Sequence, residues 1–156
     1  LNTITVVFTR RRWNPVSWLI RWVMPRSRFA LALSSHAIVV GPDRCYEATM
    51  LHGVRSVDHA AALRGQTTVR TIHYQVPDAA AGIAWVEAQC DGKKRYDWRG
   101  AFGLGLAPGR DWAEDDRWFC YELAAAVLRA AGRPVFANLS HVGEIALMAI
   151  NPDYNS

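Results

Sequence analysis

The sequence predicts a single α+β domain over residues 1–156, and three features predict it. Short β-branched runs recur through the first half, a Gly-Pro-Asp turn joins two of them, and three stretches carry helix start and stop signals. A chain of 156 residues is one domain by size and is long enough to bury a core.

Taken in order, residues 4–8 are β-branched and read as a first strand. Asn14 and Pro15 open a short helix with Val16, Leu19, Ile20 and Val23 on one side, ended by Met24 and Pro25. Residues 34–40 form a strand stopped by Gly41, Pro42 and Asp43, and residues 45–49 return as its hairpin partner. Residues 53–57 continue the sheet, and residues 67–74 alternate as a further strand. Asp78 caps a helix running to about Cys90, with Ala79, Ile83, Val86 and Cys90 inward. Residues 93–109, rich in glycine and aromatics, are the least regular part and read as a pocket-shaping loop. Asp115 and Asp116 then cap a long helix that Gly132 and Pro134 end, with Phe119, Leu123, Val127 and Ala130 facing the core. Residues 142–150 are expected to be a last strand.

Composition narrows the functional classes. No run of eighteen apolar residues exists, so no membrane-spanning helix is expected. The apolar stretch 16–24 is interrupted by Arg21 and has no small-residue cleavage site, so no targeting segment is expected either. Three cysteines without CxxC spacing support neither a zinc knuckle nor a disulfide framework, and no metal or cofactor is expected. Free thiols fit a reducing compartment, although delivery by a phage or a secretion apparatus fits the sequence equally. Residues 1–36 carry Arg10, Arg11, Arg12, Arg21, Arg26 and Arg28 and no acidic residue, a face suited to an anionic partner or surface. No nucleic-acid reading motif accompanies these arginines. Seven tryptophans point to a groove or surface that meets something partly apolar.

One thiol stands out by placement. Cys120 falls in the first turn of the long helix, where dipole and free N–H groups favour a thiolate and later an oxyanion. A thiol nucleophile requires a base and a group to orient it. His36 opens a strand beside Ser34 and Ser35, small residues that leave its ring reachable. With the turn at residues 41–44, residue 36 lies roughly opposite residues 48–49. Glu47 is then within a residue or two of facing His36, a gap that a β-bulge would close. The rival base His141 has only about twenty residues between it and Cys120, most of them helical, which leaves little chain to reach the thiol. His52, His59 and His73 read as surface or core-edge residues.

The set Ser35 to Gly41, Tyr46-Glu47-Ala48, Gly53-Val54, Tyr96-Asp97-Trp98 and Trp118 to Leu123 resembles the permuted papain-like amidases and peptidases. These are the YiiX-like relatives of the NlpC-type cell-wall hydrolases, often found in bacteria and their phages. The likeness spans residues 4–134, in the permuted order His, acid, Cys. It implies an antiparallel sheet packed against a nucleophile-bearing helix, with Cys120 as nucleophile, His36 as base and Glu47 as orienting acid. It further implies Ser35, Tyr96, Trp98, Trp118 and Tyr121 at the substrate groove. Tyr121 departs from the pattern, because Ser is common after the Cys. The implied reaction is hydrolysis of an amide in bacterial cell-wall peptide through an acyl-enzyme. An acyltransferase or thioesterase acting on lipid-like acyl groups, similar to lecithin retinol acyltransferase, and a non-enzymatic binding module are the alternatives.

Overall fold

The computed structural model describes residues 2–11, 15, 18, 21, 33–49, 52–90, 95–96, 117–118, 120–134, 136–137, 139 and 142–150, with 95–96 and 117–118 as backbone. Five strands form one antiparallel sheet: β1 (Thr3–Arg10), β2 (His36–Val40), β3 (Cys45–Thr49), β4 (Gly53–Val57) and β5 (Thr67–Gln75), in spatial order β4-β3-β2-β1-β5. Two-residue strands β6 (Arg95–Tyr96) and β7 (Arg117–Trp118) pair in parallel beside β4. Four helices have described bounds: α1 (His59–Leu63), α2 (Ala79–Gln89), α3 (Cys120–Ala130) and α4 (Glu144–Ala149). None is long and apolar enough to cross a membrane.

Strand alternation divides the core into two layers. Ile4, Val6, Phe8, Ala37, Val39, Tyr46 and Ala48 face the main helical layer and pack with α3. Val7, Ile38 and Cys45 face the other way, against Ala62 of α1. The β2–β3 hairpin forms at the expected turn, where the Gly41 N–H donates to the Arg44 carbonyl at 2.8 Å. Asp78 caps α2 as expected, its side chain accepting from the Ala81 N–H at 3.0 Å.

Helix α3 departs from the one-sided stripe read in the sequence. Every residue from Cys120 to Leu128 is buried, so the helix is covered all round, by β2 and β3 on one side and by α2 and α4 on others. The close approach of α2 is possible because Gly82 has no side chain. A Cβ there would lie 2.9 Å from the Ala131 Cβ and 3.0 Å from the Val127 carbonyl oxygen. The helix also begins later than expected, at Cys120 itself, because Arg117 and Trp118 pair as β7. Asp115, Asp116 and Phe119 lie outside the described residues. The C-terminal end follows the expectation: Gly132 has φ +84°, the Arg133 N–H donates to Leu128 O at 2.9 Å and the Gly132 N–H to Arg129 O at 3.0 Å.

Two further expectations change. The last strand is the helix α4, whose buried Glu144, Leu147 and Met148 recur at i, i+3 and i+4 while Ile145 is exposed. Apolar content over 142–150 concealed that period. Helix α1 was not anticipated, since five residues are too few to display a periodicity. Of the helix expected over 15–24, Pro15, Trp18 and Arg21 are described and helical, and the rest lies outside the described residues.

Gly132→Ala is expected to lower stability by about 1–2 kcal/mol, because it forces a side chain into the left-handed region. Its Cβ would also meet Pro77 at 3.1 Å. Urea unfolding monitored by tryptophan fluorescence measures this, with an unchanged midpoint as the contrary result.

Candidate active site

His36 is the first residue of β2, opposite Thr9 of β1, and the chain leading into it is held by several bonds. The buried Glu144 carboxylate of α4 accepts from the Leu33 N–H at 2.9 Å and the Ser34 N–H at 2.7 Å. The Ser35 N–H donates to the Thr9 carbonyl at 2.9 Å. The Ser34 hydroxyl shares a hydrogen bond of 2.8 Å with the Tyr121 hydroxyl, whose ring stacks on Phe8 at 6.3 Å between centroids. The residue after Cys120 and the residue two before His36 are therefore joined directly.

Glu47 lies at the middle of β3, and its side chain is 2% exposed, against 17% for His36. Its Oε2 is 2.7 Å from His36 Nε2. Val39↔Tyr46 and Val40↔Cys45 fix the register of β2 on β3. Counting on from those two pairs sets Glu47 level with Ile38 and diagonal to His36. The diagonal reach of two long side chains suffices to bring them together. The other oxygen, Oε1, accepts two hydrogen bonds from Arg55, from Nε at 2.9 Å and Nη2 at 2.6 Å. Arg55 is directly opposite Glu47 in the β3–β4 ladder. Sequence reading missed this pair, although counting outward from residues 50–52 would have found it.

The Cys120 side chain also acts on the His36 ring, by hydrogen bonding and by charge, in favour of the protonated imidazole. Glu47 occupies Nε2, so Nδ1 is the ring nitrogen not engaged by the carboxylate. Cys120 packs with Ala37 and Val39 on the helical side of the sheet, whereas Glu47 belongs by alternation to the side of Ile38 and Cys45. His36, at the strand's beginning, joins the two.

Electrostatics follow from this arrangement. Burial pushes the His36 imidazole down, but hydrogen bonds to Cys120 and Glu47, and their charges, together outweigh it and raise its pKa from 6.5 to about 9. Burial pushes the Glu47 carboxyl up, yet the His36 hydrogen bond and charge, followed by those of Arg55, leave it below the usual carboxylate range. Cys45 is different, since burial and the Glu47 charge raise its pKa and keep it a thiol. Cys90 donates its S–H to the Val86 carbonyl at 3.3 Å inside α2.

The other residues expected at the groove have varied places. Tyr121 is a correction: it is wholly buried against Phe8 and Ser34, which leaves it no exposed surface for a substrate. Ser35 is buried as well, at the bend before β2. Tyr96 and Trp118 are paired in the β6–β7 ladder. Trp98 and the rival base His141 lie outside the described residues. His52, His59 and His73 are exposed, and His73 Nδ1 lies 2.9 Å from the Thr5 hydroxyl. Among the described residues, no group of three or more His, Cys, Asp or Glu is placed to hold a metal ion.

Two outcomes follow. Because the folded pKa of His36 exceeds its unfolded value, the stability it contributes is complete below about pH 6.5 and is lost as pH rises through about 9. Thermal melts from pH 6 to 10, parent against His36→Gln, read this directly; parallel curves would contradict it. Glu144→Gln leaves one of two buried N–H groups facing an amide NH2, and is expected to cost about 1–3 kcal/mol in urea unfolding.

Comparison with protein-family models, with curated proteins and with solved structures returned no match for this chain.

Proposed function

We propose that the chain is a cysteine hydrolase of papain-like, circularly permuted architecture, in which Cys120 is the nucleophile, His36 the base and Glu47 the acid that orients it. The observation that carries this reading is the imidazole of His36, hydrogen-bonded to a buried carboxylate and under the influence of the thiol that begins a buried helix. An imidazole near a sulfur is the group a thiol nucleophile requires as its base. An antiparallel sheet packed on that helix, with the residues in the order His, acid, Cys, supports the same assignment.

In the proposed reaction the Cys120 sulfur attacks an amide carbonyl and the C–S bond forms as the carbonyl electrons move to oxygen. The Cys120 N–H at the start of the helix is a donor for that oxyanion. His36 gives its proton to the leaving nitrogen as the C–N bond breaks, then takes one from water, which hydrolyses the thioester. Glu47 stays ionised throughout, fixing the ring and stabilising the imidazolium. The substrate we favour is an amide in bacterial cell-wall peptide, whose carboxylates suit the arginine-rich residues 1–36.

Digestion of purified peptidoglycan sacculi with mass spectrometry of the products tests this reading. Cys120→Ala and His36→Ala are expected to lower the rate by about 10⁴-fold or more. Glu47→Gln is expected to lower it by about 10²- to 10⁴-fold. Full activity in Cys120→Ala rejects the mechanism. Release of fatty acid from a thioester with no product from sacculi would move the same residues to acyl transfer. A Cys120 alkylation rate no faster than that of a free thiol from pH 5 to 8 would favour a binding module.

A further inference from the structure

We propose that Arg55 is a positioning residue for this site: it holds one oxygen of Glu47 so that the other is aimed, ionised, at His36. The inference rests on the hydrolase reading of Cys120, His36 and Glu47. Its basis is the division of the carboxylate. Arg55 takes Oε1 with two N–H groups, at 2.9 and 2.6 Å, and His36 takes Oε2 at 2.7 Å.

A carboxylate with one partner can rotate about its terminal torsion and exchange oxygens. A planar guanidinium donating through two nitrogens removes that freedom, which a single ammonium donor does not. The location fits a support for Glu47, since Arg55 is its direct cross-strand partner, is 38% exposed, and has no described contact with Cys120 or His36. Three charged or titratable groups face Glu47: His36 from β2, Arg55 from β4 and Cys45 on its own strand. Cys120 reaches the carboxylate only through His36. Arg55 is the one permanent cation among them, so it keeps Glu47 ionised even when the proton on His36 is in transit.

The experiment uses the full chain with ¹³C-labelled glutamate carboxyls, the Glu47 signal being assigned by its loss in Glu47→Gln. In Arg55→Gln the Glu47 titration midpoint is expected to rise by about one pH unit or more. The acid edge of the activity profile is expected to move with it, and kcat to fall about 10- to 100-fold at unchanged KM. Arg55→Lys, which keeps the charge without the fork, is expected to restore the midpoint but only part of kcat. An unmoved Glu47 titration overturns the proposal, as does a raised KM at unchanged kcat, which would make Arg55 a substrate contact. Should Arg55→Gln not fold, Arg55→Lys decides alone, and a kcat equal to the parent's overturns it. If the parent cleaves no amide or thioester substrate while the Glu47 titration still moves, the hydrolase reading falls and the hold of Arg55 on the carboxylate stands.

Discussion

A carboxylate sealed from water in the middle of a sheet is the constraint from which the other features follow. Moving such a charge into a protein interior costs several kcal/mol unless hydrogen bonds and opposite charges replace the lost water. Glu47 receives three hydrogen bonds, one involving His36 and two from Arg55. Those partners come from the strands on either side, so satisfying the carboxylate also fixes how β2, β3 and β4 slide past one another. A one-residue slip would turn Glu47 toward α3 and leave Arg55 and His36 behind. Registry and proton chemistry thus depend on the same three side chains.

The thiol is held by a different kind of constraint. Helix α3 exposes nothing from Cys120 to Leu128, so its position is set by packing on several sides, and a small shift would clash or open a void. Ala124, Ala125 and Ala126 keep the helix thin enough for its neighbours to approach. Polar links add direction to that packing. The Ser34–Tyr121 bond ties the start of the helix to the chain entering β2, and Glu144 ties the same chain to α4. Steric fit fixes the sulfur, while hydrogen bonds fix the imidazole, and the two meet at the first residue of a helix and the first residue of a strand.

Much of this was legible where local chemistry dominates. Gly41 to Arg44 announced a hairpin, Asp78 a helix cap and Gly132 a left-handed exit, because each signal acts over a few residues. The nearness of His36 and Glu47 followed from counting residues across that hairpin. What stayed hidden depends on partners distant in sequence. Residues 142–150 are apolar enough to read as a strand, and only the neighbours of Leu147 and Met148 select the helical period. The start of α3 was misjudged because Arg117 and Trp118 find a strand partner in residues 95–96, which no local rule reveals. Tyr121 looked like a groove residue from its place beside the thiol, but a helix buried all round leaves no outward side at that position.

The position of His36 is itself a consequence of geometry. Within a strand, alternation assigns each side chain to one layer, so a residue in mid-β2 sees either α3 or the Glu47 side. Ala37 and Val39 take the first, Ile38 the second. A histidine at residue 37 would meet the helical layer without the carboxylate, and one at residue 38 would meet the carboxylate buried away from the thiol. At the strand's first residue the chain is still bending, and the ring is partly open to solvent while its Nε2 meets the carboxylate. In the proposed reaction such a residue carries a proton between a sulfur and a leaving group while a charge behind the sheet holds it in place. The sheet separates the carboxylate from the thiol, and the imidazole at the end of β2 lies between them.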